Sequence, residues 1–309
     1  MQKWGKNRKG SQRYFCRFCN NSETRKRPEI VEINHEKIFV SWLLGKLSKS
    51  EIAEKYGVTR RTLVTWFAPF WSKEPLPKEV SIANKVLIVD GKYVERNACV
   101  LLASCNKKVA SWHFSYRENY SSWRTFFDSF NHVPFAIVCD GQRGMLKAIK
   151  QRFPGLIVQR CQFHVVQYCT TRLTKKPESQ AAQEFRKLVL QVSRVKTKRH
   201  LQIWLAQYKY WYQSHKEFLK EKTYQTTSFT PTGRKKWHYT HGRLHAAHSH
   251  LKNALPYLFR YLEHPQVQNT TSLVEGAINS PMQEKLRFHR GLRLEKRRIL
   301  IAHFLPAKQ

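Results

Sequence analysis

The sequence predicts an α/β chain in which a mixed sheet sits between helical segments, and three observations carry that expectation. Five short apolar runs have strand length and β-branched content: KVLIVDGKYV (85–94), NACVLLAS (97–104), KKVASWHFSY (107–116), PFAIVCD (134–140) and GLIVQRC (155–161). NYSSWRTFFDSF (119–130) and MLKAIKQRF (145–153), lying between them, have helical periodicity. The flanking stretches 30–70 and 165–262 read as helices, and 269–304 as one or two more. The predicted order is therefore helices, then β-β-β-α-β-α-β, then a basic helical block, then a final helix.

The elements can be taken in order. Residues 1–27 hold nine Lys and Arg against one Glu and include Cys16-x-x-Cys19 within QRYFCRFCNNS. A zinc ribbon uses two such pairs, and no second CxxC occurs in the chain. KWGKNRKGSQRY looks like the hairpin that separates two pairs, so the expectation is half a ribbon whose first pair is missing; the alternative is two plain thiols in a basic arm. Zinc at Cys16 and Cys19 would need further ligands from a His or a second chain. Residues 28–71 are expected to form a helix-turn-helix domain. In LSKSEIAEKYGVTRRTLVTWFAPFW (47–71), Ser48-x-x-Glu51 fits a capping box and Thr59 is placed to cap the next helix. Ile52, Ala53, Val58, Leu63 and Trp66 supply an inward face. Arg60, Arg61, Thr62 and Thr65 then face outward, where a recognition helix presents its DNA contacts; an ordinary helical hairpin is the alternative. The Pro-containing stretch 72–84 is a linker, 85–165 the first part of the sheet domain, 166–265 an all-helical insertion and 266–309 the last helix with a basic tail.

Composition narrows the partner. The 309 residues carry 56 Lys and Arg against 21 Asp and Glu, a formal charge of +35. A folding chain with that charge faces a polyanion. No apolar run approaches the ~18 residues of a membrane span, so nucleic acid is favoured over a membrane, and a cytoplasmic location is expected. The charge is spread along the chain, which implies contact with the polyanion over much of its length.

Only three acids are Asp: Asp90, Asp128 and Asp140. Asp90 and Asp140 each close an apolar strand-like run and precede Gly. A carboxylate at the end of a buried strand is costly without a counter-charge, and two on neighbouring strands favour a cation between them. Oxygen ligands point to Mg²⁺ or Mn²⁺. The competing reading is that Asp-Gly marks a turn. Asp128 lies in a helical segment and reads as a surface residue. A third carboxylate comes from a later Glu; Glu275 in NTTSLVEGAINS sits just inside a helix start, where Ser272-x-x-Glu275 also fits a capping box.

LIVDGKYV around Asp90, IVCDGQRGM around Asp140, RCQFHVVQ with Cys161-x-x-His164, and NTTSLVEGAINSPMQEKLRFHRGL around Glu275 occur in that order. In these motifs the chain resembles the DDE transposases of bacterial insertion sequences related to the Mutator elements, over roughly residues 80–304. The resemblance implies a ribonuclease-H-like catalytic domain with a helical insertion, and Asp90, Asp140 and Glu275 as its catalytic, metal-binding triad. It makes Cys161 and His164 site-shaping residues. It further implies two Mg²⁺ or Mn²⁺ ions roughly 3.5–4 Å apart, double-stranded DNA (terminal inverted repeats and target) as substrate, and a homodimer on DNA at the nucleoid. No Gly-rich phosphate loop is present, so ATP is not implied. The rival reading is a transposase-derived DNA-binding protein that is inactive or regulatory.

Two stripes in the insertion remain. His238, His241, His245 and His248 are spaced 3, 4, 3 and would share a helix face; His241 and His245 have zinc-ligand spacing, but no acidic ligand accompanies them, and a polar stripe is expected. Trp204, Tyr208 and Trp211 form a second stripe, expected to pack in a core. Cys99, Cys105, Cys139 and Cys169 are expected as small apolar residues.

Overall fold

The computed structural model describes all residues except 9, 25–33, 76, 77, 79, 230, 231, 233 and 234. The chain divides into two units, Met1–Trp71 and Ser72–Gln309.

The first unit begins with a three-stranded antiparallel sheet, β1 (Gln2–Lys6), β2 (Gln12–Phe15) and β3 (Ser22–Thr24), in that spatial order. The described residues of 1–24 thus form a meander, with β1 and β2 pairing where the hairpin is expected; residues 9 and 25–27 of the expected arm lie outside the described residues. Three helices follow: α1 (His35–Leu44), α2 (Lys49–Lys55) and α3 (Arg60–Phe67). The α2 capping box forms as read, with Glu51 N donating to Ser48 Oγ and Ser48 N to Glu51 Oε2. Thr59 Oγ1 caps α3 by accepting from Thr62 N at 3.1 Å. Residues 31–33, expected to begin the first helix, lie outside the described residues. The inward face needs one correction. Phe67, one turn after Leu63, is buried, whereas Trp66 is half-buried and stacks on His35 at 4.2 Å, because the i, i+4 phase favours Phe67.

The second unit is built on a five-stranded sheet of order β6-β5-β4-β7-β8. Its strands are β4 (Val86–Glu95), β5 (Ala98–Cys105), β6 (Lys108–Ser115), β7 (Ala136–Cys139) and β8 (Ile157–Arg160); α4 (Tyr120–Asp128) and α5 (Arg143–Arg152) are the crossovers. Tight turns make β4–β5 and β5–β6 antiparallel, while the helical crossovers make β4–β7 and β7–β8 parallel. Leu87, Val89, Leu101 and Ile137 pack against Trp123, Phe126 and Phe127 of α4 and Met145 and Ile149 of α5. Apolar runs buried on both faces explain why these strands read as continuous rather than alternating.

The segment after β8 comprises α6 (Gln162–Leu173), α7 (Gln180–Gln191), α8 (Lys198–Lys220), a hairpin of β9 (Lys222–Phe229) and β10 (Lys235–Tyr239), and α9 (Gly242–Leu258). It is therefore not all-helical. KTYQTTSF and KKWHY are rich in β-branched and aromatic residues, which favour strands even among basic neighbours. The hairpin also breaks the expected histidine face. His238 lies in β10 and His241 precedes α9, leaving only His245 and His248 of the four on the helix. His241 instead pairs with Glu221 at 2.9 Å, and His245 stacks on Tyr239. The Trp204/Tyr208/Trp211 stripe packs as expected: both indoles are buried, with their N–H groups donating to Leu188 O and Ala181 O. Of the four remaining cysteines, Cys99, Cys139 and Cys169 are buried and Cys105 is half-buried.

The chain then returns to the sheet through α10 (Ser272–Val274), a π-helical turn (Glu275–Asn279), α11 (Ser280–Phe288) and α12 (Leu294–Phe304). Buried amides guide that return. Gln159 of β8 donates to Leu258 O at 2.8 Å and accepts from Tyr261 N at 3.2 Å. Gln162 of α6 donates its backbone N–H to Asn269 O at 2.9 Å and accepts from Asn269 Nδ2 at 3.0 Å. Segments about a hundred residues apart are thereby held beside the ends of the parallel strands.

Candidate active site

The parallel register aligns the two aspartates. Ile88 of β4 pairs with Val138 of β7, so Asp90 and Asp140 each stand two residues beyond the same rung. Ligand-bearing residues in open α/β sheets commonly gather at such carboxyl ends. Their local settings differ. β4 runs on through Asp90 and Gly91, which face Leu102 and Leu101 of β5, so Asp90 lies within a strand and not at the strand end expected for it. Asp140 does end its strand, and its Oδ1 accepts from Gln142 N at 2.9 Å. Gly141, at φ +84°, turns the chain there; a Cβ on it would overlap the buried Arg160 side chain, which donates to Asp140 O at 3.2 and 3.3 Å.

Asp90 Oδ1 accepts from Gly91 N, and Oδ2 accepts from Asn279 Nδ2 at 2.7 Å. Burial first, then the charge of Asp140, push the Asp90 carboxyl up to about 6; Glu275 adds to this, while His164 and Asn279 oppose it. Asp90 is thus electrically coupled to both other expected triad members.

Glu275 opens the π-helical turn, a helical irregularity often found at functional sites. The Ser272–Glu275 capping box does not form. Ser272 Oγ bonds Thr270 instead, and Glu275 Oε1 accepts from Thr271 Oγ1 at 3.3 Å. His164 Nε2 lies 3.5 Å from Glu275 Oε1, and Cys161 Sγ accepts from Thr271 N and Oγ1 at 3.3 and 3.4 Å. Hydrogen bonding to Cys161 raises His164 to about 9 against the cost of burial, with the charges of Cys161, Asp90 and Glu275 adding. Burial pushes the Cys161 thiol up, but bonds from His164 and Thr271 outweigh it and leave the thiol lowered. The contact thus lowers the Cys161 thiol and raises the His164 imidazole, whose Nε2 lies beside Glu275.

Three residues of the site escaped the sequence reading. Asn279 is buried, four residues after Glu275, and its Oδ1 has no hydrogen-bond partner. Arg160 is buried on the Asp140 backbone; a charged residue inside the apolar run GLIVQRC was the available signal. Glu118, in the turn before α4, is pushed up to about 7 by burial, then by Asp140 and Asp90. It had no motif to mark it. A cavity of about 490 Å³ opens beside Asp140 and Gly141, bordered by Arg160, His164, Arg172 and His250.

The donor chemistry fits a hard divalent cation. Asp90, Asp140 and Glu275 offer carboxylate oxygens, with burial and then mutual repulsion raising Asp90, and Asn279 Oδ1 is buried without a hydrogen-bond partner. Among the described residues, however, no three His, Cys, Asp or Glu side chains stand in an arrangement that would enclose one ion together. Asp128 is a surface residue paired with Arg124 and Arg152.

In the first unit, Cys16 and Cys19 lie in the turn between β2 and β3, with the Cys16 thiol lowered by the N–H groups of Cys19 and Phe18. Backbone N–H groups aimed at a sulfur favour a thiolate. Arg60, Arg61 and Thr65 are exposed on α3; Thr62 is half-buried and bonded to Thr59.

A mixed sheet with aspartates on two neighbouring parallel strands and a mainly helical inserted segment defines the broad class, and comparison with known families gives the particular one. Residues 81–244, just over half of the chain, match the family described as "Transposase, Mutator family". The chain belongs to the Mutator family of transposases, enzymes that act on DNA. The matched residues include Asp90, Glu118, Asp140, Cys161 and His164; Glu275 and Asn279 lie beyond them. No curated protein matches the chain. Among the described residues no helix is long and apolar enough to cross a membrane.

Proposed function

We propose that this transposase cleaves and joins DNA at the ends of an insertion sequence through Asp90, Asp140 and Glu275, in a ribonuclease-H-like domain. The observation that carries the reading is the shared register of Asp90 and Asp140, with Glu275 coupled to Asp90 and held against His164. Mg²⁺ or Mn²⁺ held by the three carboxylates would supply charge to the scissile phosphate oxygens and acidify the attacking hydroxyl. Asn279 fixes the Asp90 carboxylate by its 2.7 Å bond. His164, held by Cys161 and Thr271, keeps Glu275 oriented. Arg160 braces the turn after Asp140.

DNA engagement follows from charge and shape. The net charge of +35 favours backbone contact along much of the chain. α2 and α3 form the reading module, with Arg60, Arg61, Thr62 and Thr65 toward DNA. The working form is a homodimer on double-stranded DNA, and Cys16 with Cys19 forms part of a zinc ribbon.

The test is purified full-length protein with Mn²⁺ and a labelled duplex of the flanking inverted repeats. Wild type is expected to nick and join; Asp140→Asn is expected to bind equally and to lose cleavage by at least about a thousandfold. If wild type neither nicks nor joins while both proteins bind, the chain is a DNA-binding regulator instead.

A further inference from the structure

On the wall of the 490 Å³ cavity beside Asp140, Arg160 is the group that most needs explaining. This β8 residue is only 5% exposed. Its Nε and Nη2 donate to the Asp140 carbonyl, and Nη2 also meets His250 Nε2 at 3.4 Å. Asp140 is the only acid lining the cavity, and its Oδ1 is turned to Gln142 N. Among the described residues, Nη1 of Arg160 makes no hydrogen bond and no carboxylate lies within ion-pair distance of the guanidinium. A buried charge is costly unless an opposite charge meets it. Bracing the turn after Asp140 uses only the Nε–Nη2 edge, and leaves Nη1 unused on a residue that lines a cavity.

The rest of that wall is a built row. The Tyr168 ring stacks on His250 at 4.0 Å, and the Arg172 guanidinium lies 5.3 Å from the Tyr168 ring centroid. Tyr168 and Arg172 are one turn apart on α6, which brings them together. Arg172 is exposed and has no carboxylate partner among the described residues. It also lines a second cavity of about 550 Å³, together with Lys176 and Arg243 against one acid, Glu178. Cationic side chains therefore line both cavities, which share Arg172. DNA, on which this family acts, presents an anion at every backbone step, and the guanidinium fork matches phosphate oxygens.

Resting on the reading of Asp140 as a cleavage-site carboxylate, we propose that the cavity is a backbone subsite for the DNA strand being cut, in which Arg160 and Arg172 hold a phosphate next to the scissile one. The strand then leaves past Arg172 toward Lys176 and Arg243. The two arginines set the position of the strand on the carboxylates and read no base.

The test measures binding of the full chain to a labelled duplex of the flanking inverted repeat by fluorescence anisotropy with chelator present. Neutral methylphosphonate linkages are placed one at a time across the element end. Wild type is compared with Arg172→Ala and Arg160→Lys, with circular-dichroism melting to verify folding. Wild type is expected to lose roughly tenfold in affinity at one or two linkages beside the cut bond. Arg172→Ala is expected to bind the native duplex roughly tenfold more weakly, with a salt dependence shallower by about one ion, and to be indifferent to the linkage at which wild type responds. Arg160→Lys keeps the charge but lacks the fork, and is expected to lose the response at the same linkage; Arg172→Ala, at an exposed position, carries the test if Arg160→Lys misfolds. Wild-type affinity in Arg172→Ala, or losses at every linkage equal to those of wild type, overturns the subsite. A responding linkage in a wild type that never cleaves on addition of Mn²⁺ sustains the subsite and overturns the triad reading alone.

Discussion

The strand-end site and the core of the inserted segment each hold a half-buried or buried histidine, and the two are driven in opposite directions. His164 at the site is raised to about 9, whereas His248 in the insertion is lowered to about 4. Burial penalises the imidazolium in both. At His164 that penalty is overcome by Cys161, with Asp90 and Glu275 adding. At His248 burial prevails, Lys252 and His245 add repulsion, and the ring stacks on Tyr212 and shares a 2.9 Å hydrogen bond with Tyr208. The same side chain is a charged positioning group in one region and a neutral packing group in the other. The neighbours decide: Asp90 and Glu275 act on His164, while Lys252 and His245 act on His248.

That contrast can be broken from the insertion side first. Trp211→Ala removes a buried indole and its bond to Ala181 O, and is expected to cost about 3–5 kcal/mol by chemical denaturation. Mn²⁺ binding by the folded fraction should stay unchanged; a loss there would mean that the insertion core and the site are not separable.

The histidines themselves sharpen it. His248 has its folded pKa depressed, so its stabilisation is complete above about 6.5 and is lost as pH falls toward about 4. Relative to His248→Gln, wild type should lose about 2 kcal/mol across that window. His164 has its folded pKa raised, so its contribution is complete below about 6.5 and disappears as pH rises through about 9. His164→Gln should therefore be about 1–2 kcal/mol less stable than wild type near pH 6, discounted for partial exposure, and equal to it above about pH 9. Identical pH profiles for the two variants would contradict the comparison.

The smallest effect concerns charge alone. Asp90 is an acid whose folded pKa of about 6 exceeds its usual value of 3.8, so its ionisation penalty is absent below about 4 and complete above about 6. Asp90→Asn, melted at pH 7.5 with chelator present, should be about 1 kcal/mol more stable than wild type, with no gain near pH 4 and no cleavage activity.

Much of the fold could be read from local pattern. All five strands of the main sheet and the helices between them coincide with apolar runs and 3.6-residue periodicity, because burial on both faces leaves little room for polar residues. Asp90 and Asp140 stood out because acids are scarce among so many Lys and Arg. The β9–β10 hairpin escaped the sequence reading because it interrupts a long basic stretch of helical pattern, and the histidine stripe was misread with it. Glu118, Asn279 and Arg160 had no motif.

What the sequence by itself determined is therefore the order of elements in the main sheet, the partner class and the two aspartates at the ends of apolar runs. Tertiary structure alone decided that Asp90 and Asp140 share one level of the sheet, since strand register is a long-range pairing. It also decided that Glu275 reaches His164 across an insertion folded on its own core, and that Glu118 lies over Gly91. Periodicity reports which face of an element is buried, but not which distant element covers it. The convergence of the site rests on contacts between residues up to about two hundred positions apart, such as Asn279 with Asp90.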